Sequence, residues 1–435
     1  MTSPARSSLK NRANVSSMTA DVAFRQPSLR VALYSHDTMG IGHMRRNMLI
    51  AQTFAAPPTS ATVLLIAGAR TAAGFALPHG VDCLTLPSLH KTTEGQYRSR
   101  ALNVRLGDLI ELRSHIVAAA LAEFDPDVLV VDKEPRGALG ELNRALTLLH
   151  GRGKTRCILG LRDVLDDPSE VRREWETAGS AEAIREFYHA IWIYGDRAVY
   201  DPSREYGMPP EICTKVAFTG YLNPCRRLQV AGRQRDGDDH WVCGSRPYAL
   251  CLVGGGQDGA ALAETFADAT LPRNLDGVII AGPDMPPAPR HRLHCRAAGN
   301  PRLRVKDFDA EPCRFIQGAD CVVAMGGYNT VSEILAFEKR ALVVPRVKPR
   351  TEQLIRAQRM SALGLLEYLR PEHLSPGALS QWVAHGPSPA VKSRRAIDLN
   401  GTGRLPHLLH SVLAGSRSTL TPPPPPEAEP YHAVR

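Results

Sequence analysis

The sequence predicts an α/β protein of two doubly wound, Rossmann-like domains in series, facing each other across a cleft. Three observations carry this reading. Short apolar runs alternate with helical patterns along most of the 435 residues, the alternation that makes a parallel sheet covered by helices on both faces. The chain is too long for one typical core. A polar, charged stretch at 222–246, "LNPCRRLQVAGRQRDGDDHWVCGSR", interrupts the alternation near the middle and reads as a linker.

Taken in order, residues 1–28 are rich in Ser and Arg and read as a disordered N-terminal segment. The N-terminal, acceptor-side domain spans 29–221. Its strands are expected at 30–35, 62–68, 127–132, 156–161, 190–195 and 215–220, with a long helix over 104–123. The C-terminal domain, 247–387, repeats the style with strands at 248–256, 277–282, 303–308, 320–327 and 341–346. Residues 388–415 hold Ile397, Leu399, Leu405, Leu408, Leu409 and Val412, enough apolar positions for a closing helix. Residues 416–435, with "TPPPPPEAEP", read as a disordered proline-rich tail.

Composition narrows the class. With 43% hydrophobic and 22% charged residues the chain reads as soluble and globular, and no apolar run is long enough to span a bilayer. The net charge of +9 favours anionic partners: nucleotides, phosphates or an acidic membrane surface. No nucleic-acid motif accompanies that charge, so nucleic acid is not an expected partner. Nine cysteines without a C-x-x-C pair argue for the reducing cytoplasm and against a disulfide frame or a zinc site.

Three strands run into glycine loops followed by helices. In "MGIGHMRRNMLIA" (39–51), Gly40 and Gly42 let the backbone approach a ligand, and the helix N-terminus offers free N–H groups. His43 stands at the mouth of that turn. Arg46 follows, either as a phosphate contact or on the exposed face of the helix. In "CLVGGGQDGAALAETF", Gly255, Gly256 and Gln257 lead into a helix from Ala260. In "VVAMGGYNTVSEILAF", Gly326 and Gly327 end a strand, and Asn329 or Thr330 can cap the next helix. Glu333 lies three residues after Thr330, the spacing of a capping box. Its alternative role is to accept both hydroxyls of a ribose.

Residues 303–364, with "TVSEI" and the later "EQ" pair, resemble the C-terminal domain of the MurG-like glycosyltransferases of family 28. "LVGGGQDGA" resembles the loop that opens the same domain, and Arg30–Phe54 the family's N-terminal glycine loop. In its G-x-G-H-x-x-R form that loop is also similar to one in the UDP-sugar hydrolase of pseudaminic acid synthesis. The resemblance implies a GT-B fold with the donor nucleotide in the C-terminal domain. Phe308 would face the base, most simply uracil. Glu333 would hold the ribose, Thr330 with Gly326 and Gly327 would meet the diphosphate, and Glu352 and Gln353 would contact sugar hydroxyls. His43 would be a base or a phosphate contact. Met325 and Arg356 replace polar residues of the peptidoglycan enzyme, and Glu352 replaces an amide, so neither sugar nor acceptor carries over.

The expected activity is therefore transfer of a sugar from a UDP-sugar to an acceptor of unspecified kind, a saccharide, lipid or small molecule. A hydrolase in which His43 activates water is the alternative, and a non-catalytic nucleotide-sugar binder is a third reading. A histidine at a helix N-terminus is kept neutral by the helix dipole and can accept a proton. Asp163 either orients it or caps a helix. Asp132, Lys133 and Glu134 follow another strand and either line the acceptor side or are solvated loop charges, the preferred reading, and "PRHRLHCR" (289–296) reads as a basic surface helix. Helix N-termini can stabilise a diphosphate without a metal, so neither an essential cation nor a cofactor beyond the UDP-sugar substrate is expected. Peripheral contact with the cytoplasmic face of a membrane fits the basic balance.

Overall fold

A computed structural model describes residues 29–36, 42–68, 77–91, 97–224, 246–386 and 396–415. Residues 1–28, Gly40, nearly all of the 222–246 linker, 388–395 and the 416–435 tail lie outside the described residues.

The first half is a seven-stranded parallel sheet in the order β3-β2-β1-β6-β7-β8-β9. Its strands are β1 (Arg30–Ser35), β2 (Thr62–Ala67), β3 (Val81–Thr85), β6 (Val128–Asp132), β7 (Arg156–Arg162), β8 (Ala190–Tyr194) and β9 (Val216–Phe218). A small antiparallel pair, β4 (Leu89–Lys91) and β5 (Tyr97–Ser99), stands apart. The second half is a six-stranded parallel sheet, β12-β11-β10-β13-β14-β15. It comprises β10 (Tyr248–Leu252), β11 (Asp276–Ile280), β12 (Leu303–Lys306), β13 (Cys321–Ala324), β14 (Arg340–Val343) and β15 (Glu367–Tyr368).

The helices that frame the cleft are α1 (Gly42–Ala55), α2 (Ala260–Ala267), α3 (Tyr328–Ala336), α4 (Glu352–Ala362) and α5 (Gly401–Leu413). Strands such as β6 and β8 are buried at every position, as expected where helices cover both faces of a parallel sheet. In the second sheet, Leu250, Val322 and Val343 face a core continuous with that of the first half, while Cys251, Val323 and Leu342 face a separate core with Trp382.

Strand order reverses between β1 and β6 in the first sheet and between β10 and β13 in the second. Ligands of such sheets bind beyond the carboxyl ends of the strands at that reversal. The glycine loops after β10 and β13 leave the second sheet there, and α1 begins just beyond β1 on the facing side.

The chain returns to the first half at its end. The Tyr221 N–H donates to the Asp398 carbonyl at 2.8 Å, the Gly401 N–H to the Tyr221 carbonyl at 3.0 Å, and α5 packs on α1. The sequence strands extend too far at their carboxyl ends: 248–256 is strand only to Leu252 and 320–327 only to Ala324. Beyond those points the backbone turns out of the sheet, with φ of 63° at Gly254 and 86° at Gly326.

Candidate active site

A cleft of about 270 Å³ lies between the two reversal points. Gly42, His43, Arg46, Gly255, Gly256, Gln257, Phe308, Gly326, Gly327, Thr330 and Gln353, all singled out in the sequence, line it.

On the first-half side, His43 is the second residue of α1 and Asp132 the last of β6, the neighbour of β1. His43 Nδ1 lies 2.7 Å from Asp132 Oδ2. One turn on, Arg46 Nη2 donates to Asp132 Oδ1 at 2.7 Å and Oδ2 at 2.6 Å. Asp132 is 1% exposed and Arg46 3%. Burial alone would raise the Asp132 pKa, but the charge of Arg46 and the hydrogen bonds from Arg46 and His43 outweigh it and hold the carboxyl well below its ordinary range. Arg46 Nη2 also lies 3.0 Å from His43 Nδ1, but its protons go to Asp132; an ionised carboxylate only accepts, so Nδ1 donates in the 2.7 Å contact, and in a neutral ring Nε2 keeps the lone pair. The Arg46 guanidinium sits 5.7 Å from the Tyr194 ring of the first half and 5.5 Å from the Tyr328 ring of the second. His36, at the end of β1, is buried with its ring 5.1 Å from that of His43. Burial and then the neighbouring His43 push its pKa down to about 3.

On the second-half side the backbone does the shaping. A Cβ at Gly256 (φ 89°) would stand 2.3 Å from the Ala281 carbonyl, and one at Gly326 (φ 86°) 2.7 Å from Val343. Only glycine fits these turns. The loops bring the starts of α2 and α3 to the cleft, and Phe308 lies at its edge, 38% exposed.

Several sequence expectations change here. Asp132 is not a solvated loop charge, because β6 ends at the strand-order reversal and places its carboxylate under His43. Arg46 is on the buried, not the exposed, side of α1. Asp163 neither orients His43 nor caps a helix: Arg356 holds it through Nε at 2.9 Å and Nη2 at 2.7 Å, and Tyr221 donates to it at 2.9 Å. Asp167 caps the following helix instead, accepting from the Ser169 N–H at 2.9 Å.

The Thr330–Glu333 capping box does not form either. The helix starts at Tyr328 behind Gly327, so Thr330 is already helical. Asn329 donates across the cleft to the Gly42 carbonyl at 2.8 Å, and Glu333 accepts from Arg45 Nη2 at 2.6 Å. Glu352 and Glu333 are buried outside the cleft lining; Glu352 accepts from Arg346 Nη2 at 2.6 Å, and Gln353 from the Arg346 N–H at 2.9 Å. The His-rich stretch is a helix, Pro287–Ala298. No group of three or more metal-ligating side chains is placed together among the described residues. Arg45, Arg162 and Tyr328 line the cleft and were not singled out in the sequence, and Asp132, buried behind the lining, was read there by preference as a solvated charge. Only Asp132 carried a signal, as the acid that ends an apolar strand.

Two facing parallel sheets with a cleft between their reversal points define the GT-B class. Residues 249–396 match the glycosyltransferase family 28 C-terminal domain. It is 23% identical over 236 residues to an uncharacterized glycosyltransferase of Methanosarcina acetivorans, covering 52% of this chain and 55% of that protein. It is 27% identical over 176 residues to the UDP-N-acetylglucosamine–N-acetylmuramyl-(pentapeptide) pyrophosphoryl-undecaprenol N-acetylglucosamine transferase of Shouchella clausii, covering 39% and 47%. The chain thus spans about half the length of the curated relatives it matches. The crystal structure of Acinetobacter baumannii MurG aligns with a TM-score of 0.52 at 13% identity, over 88% of this chain and 99% of that one. No helix among the described residues is long and apolar enough to cross a membrane.

Proposed function

We propose that the protein is a glycosyltransferase that moves a sugar from a UDP-sugar to an acceptor hydroxyl, with His43 as general base. The observation that carries this is the His43–Asp132–Arg46 unit on one wall of the cleft, facing the glycine loops and helix starts of the other. Nε2 of His43 takes the acceptor proton as the acceptor oxygen bonds to the anomeric carbon. The bond from that carbon to the diphosphate oxygen breaks, and UDP leaves. Backbone N–H groups at the loops Gly254–Gly256 and Gly326–Gly327 stabilise the departing charge, which needs no metal. Phe308 faces the base, and Glu333 takes the ribose once Arg45 releases it. Gln353 meets the sugar, and Glu352 joins it once Arg346 releases it.

The Shouchella clausii relative is named for a UDP-sugar donor, which supports uracil as the base. Incubation with a panel of UDP-sugars in EDTA, separating glycoside from free sugar, tests the reading. Transfer to an added acceptor supports it; free sugar alone makes the protein a hydrolase, with water in the acceptor's place. UDP that fails to bind overturns both.

The acceptor end has a surface of its own. Leu102 and Val104 are exposed between Arg98, Arg100 and Arg105, which are exposed as well. Apolar tips among arginines suit an anionic membrane surface. Sedimentation with phosphatidylglycerol vesicles, against phosphatidylcholine, tests this contact.

A further inference from the structure

Four arginines line the cleft, and three are committed to carboxylates: Arg45 to Glu333, Arg46 to Asp132, and Arg346 to Glu352 and Asp258. The fourth is Arg162, the last residue of β7. Its guanidinium makes no hydrogen bond or ion pair among the described residues, and its Nε is buried without a partner. The carboxylates whose charge reaches it are engaged elsewhere. Asp163 is held by Arg356, and Glu352 holds Arg346 through Oε1. Arg46 and Arg356 add like charge around it, and burial depresses its pKa. Arg162 is half-buried at the cleft wall, and its neighbouring carboxylates are shared with other arginines, so its guanidinium has donors to spare for an anion in the cleft.

The position of Arg162 says which part of the substrates brings that anion. β7 is the neighbour of β6, with Gly160 level with Asp132. Arg162 thus projects just beyond the carboxylate that holds His43, on the first-half wall, within the electrostatic reach of Glu352 on α4 of the second half. This is where a transferred sugar and an acceptor meet under the base. The diphosphate belongs at the glycine loops across the cleft. We propose that Arg162 recognises an anionic group, a carboxylate or a phosphate, carried by the transferred sugar or by the acceptor and not by the nucleotide. The assignment rests on the nucleotide-sugar reading given above. A planar guanidinium offers such a group two parallel N–H donors.

The test is calorimetry on the wild type, Arg162→Gln and Arg162→Lys with UDP, UDP-glucose and UDP-glucuronate. Inorganic phosphate is then titrated into the UDP-saturated proteins. UDP and UDP-glucose should bind the wild type and Arg162→Gln within about twofold of each other. If the sugar carries the anion, UDP-glucuronate binds the wild type roughly tenfold or more tighter than UDP-glucose, and Arg162→Gln abolishes the difference. If the acceptor carries it, phosphate binds the UDP-saturated wild type and is lost in Arg162→Gln. In either case Arg162→Lys keeps the charge and part of the gain, which separates recognition from a failure to fold. An equal loss of UDP affinity in Arg162→Gln would give the residue to the diphosphate and overturn the proposal. So would a wild type indifferent to both anions. Failure of UDP to bind the wild type refutes the functional reading itself.

Discussion

Arg45 and Glu333 hold each other at 2.6 Å across the cleft, one from α1 of the first half and the other from α3 of the second, 7% and 2% exposed. The pair has a direct consequence for the nucleotide. A carboxylate bonded to a guanidinium is not free to take a ribose diol, so nucleotide entry must exchange one partner for the other. The cleft volume agrees: about 270 Å³ lies below the roughly 300–1,000 Å³ of typical ligand sites.

Replacing Glu333 with Ala should lower UDP affinity at least several-fold, since hydrogen bonds to a charged group contribute roughly 1.5–3 kcal/mol. It should also destabilise the protein by about 3–5 kcal/mol, because Arg45 is left buried and unpaired. The double variant Arg45→Met, Glu333→Leu separates the effects. Its melting temperature should recover while UDP affinity stays low. Recovery of both would make Glu333 purely structural.

His36 predicts an acid-sensitive fold. Its pKa is about 3 in the folded protein, against roughly 6.5 in an unfolded chain. Below the unfolded value the unfolded state binds the extra proton, so stability is full above pH ~6.5 and falls as pH drops towards the folded value. The loss amounts to roughly 4–5 kcal/mol at the lower end of that window. His36→Phe should flatten urea-derived stability between pH 6.5 and 4, where Asp132, whose folded pKa is also depressed, has not yet begun to lose its own contribution. An unchanged slope would assign the acid sensitivity to other groups.

His43 was legible because a glycine loop between a buried strand and a helix pattern is a local signal. Its partner was not. Asp132 lies 89 residues away, and only the pairing of β6 beside β1 brings it under the ring. The same holds for Asp163 and Arg356, 193 residues apart. Periodicity shows that a strand ends at an acid, but not which strand stands next to it. The capping-box alternative at Thr330 and Glu333 fails for the opposite reason: a valid local pattern loses to a buried cation supplied by the other half. Strand β3 escaped notice because most of its residues are only half-buried or exposed, which leaves no apolar run, and β15 is two residues long.

The closing segment should be essential to stability. Leu405, Leu408 and Leu409 of α5 are buried in the core shared with the first half, and Arg404 pairs with Asp398, whose backbone is bonded to Asp196 and Tyr221. Truncation after Ala390 removes these contacts and should lower the melting temperature by ten degrees or more, since each buried Leu contributes on the order of 2 kcal/mol. Truncation after Gly415 removes only the proline-rich sequence and should leave it unchanged. Equal effects would refute the division.

The last prediction concerns the base. His43→Ala should lower turnover by on the order of a hundredfold or more, the usual contribution of a positioned base. UDP affinity should change little, because the glycine loops and Glu333 belong to the other half. If His43 instead only touches the diphosphate, affinity and turnover fall together, and the same mutant distinguishes the cases by calorimetry and single-turnover rate. Asp132→Asn supplies the control. An amide can present its NH2 to Nδ1, which moves the ring proton to Nε2 and removes the lone pair that faces the acceptor. Turnover should therefore fall with UDP affinity kept, even though His43 is intact. Asp163→Asn, which loosens Arg356 far from the ring's hydrogen bond, should lower the melting temperature and leave the pH profile of the surviving activity unaltered. Normal single-turnover chemistry in His43→Ala would end the base assignment whatever the other two variants show.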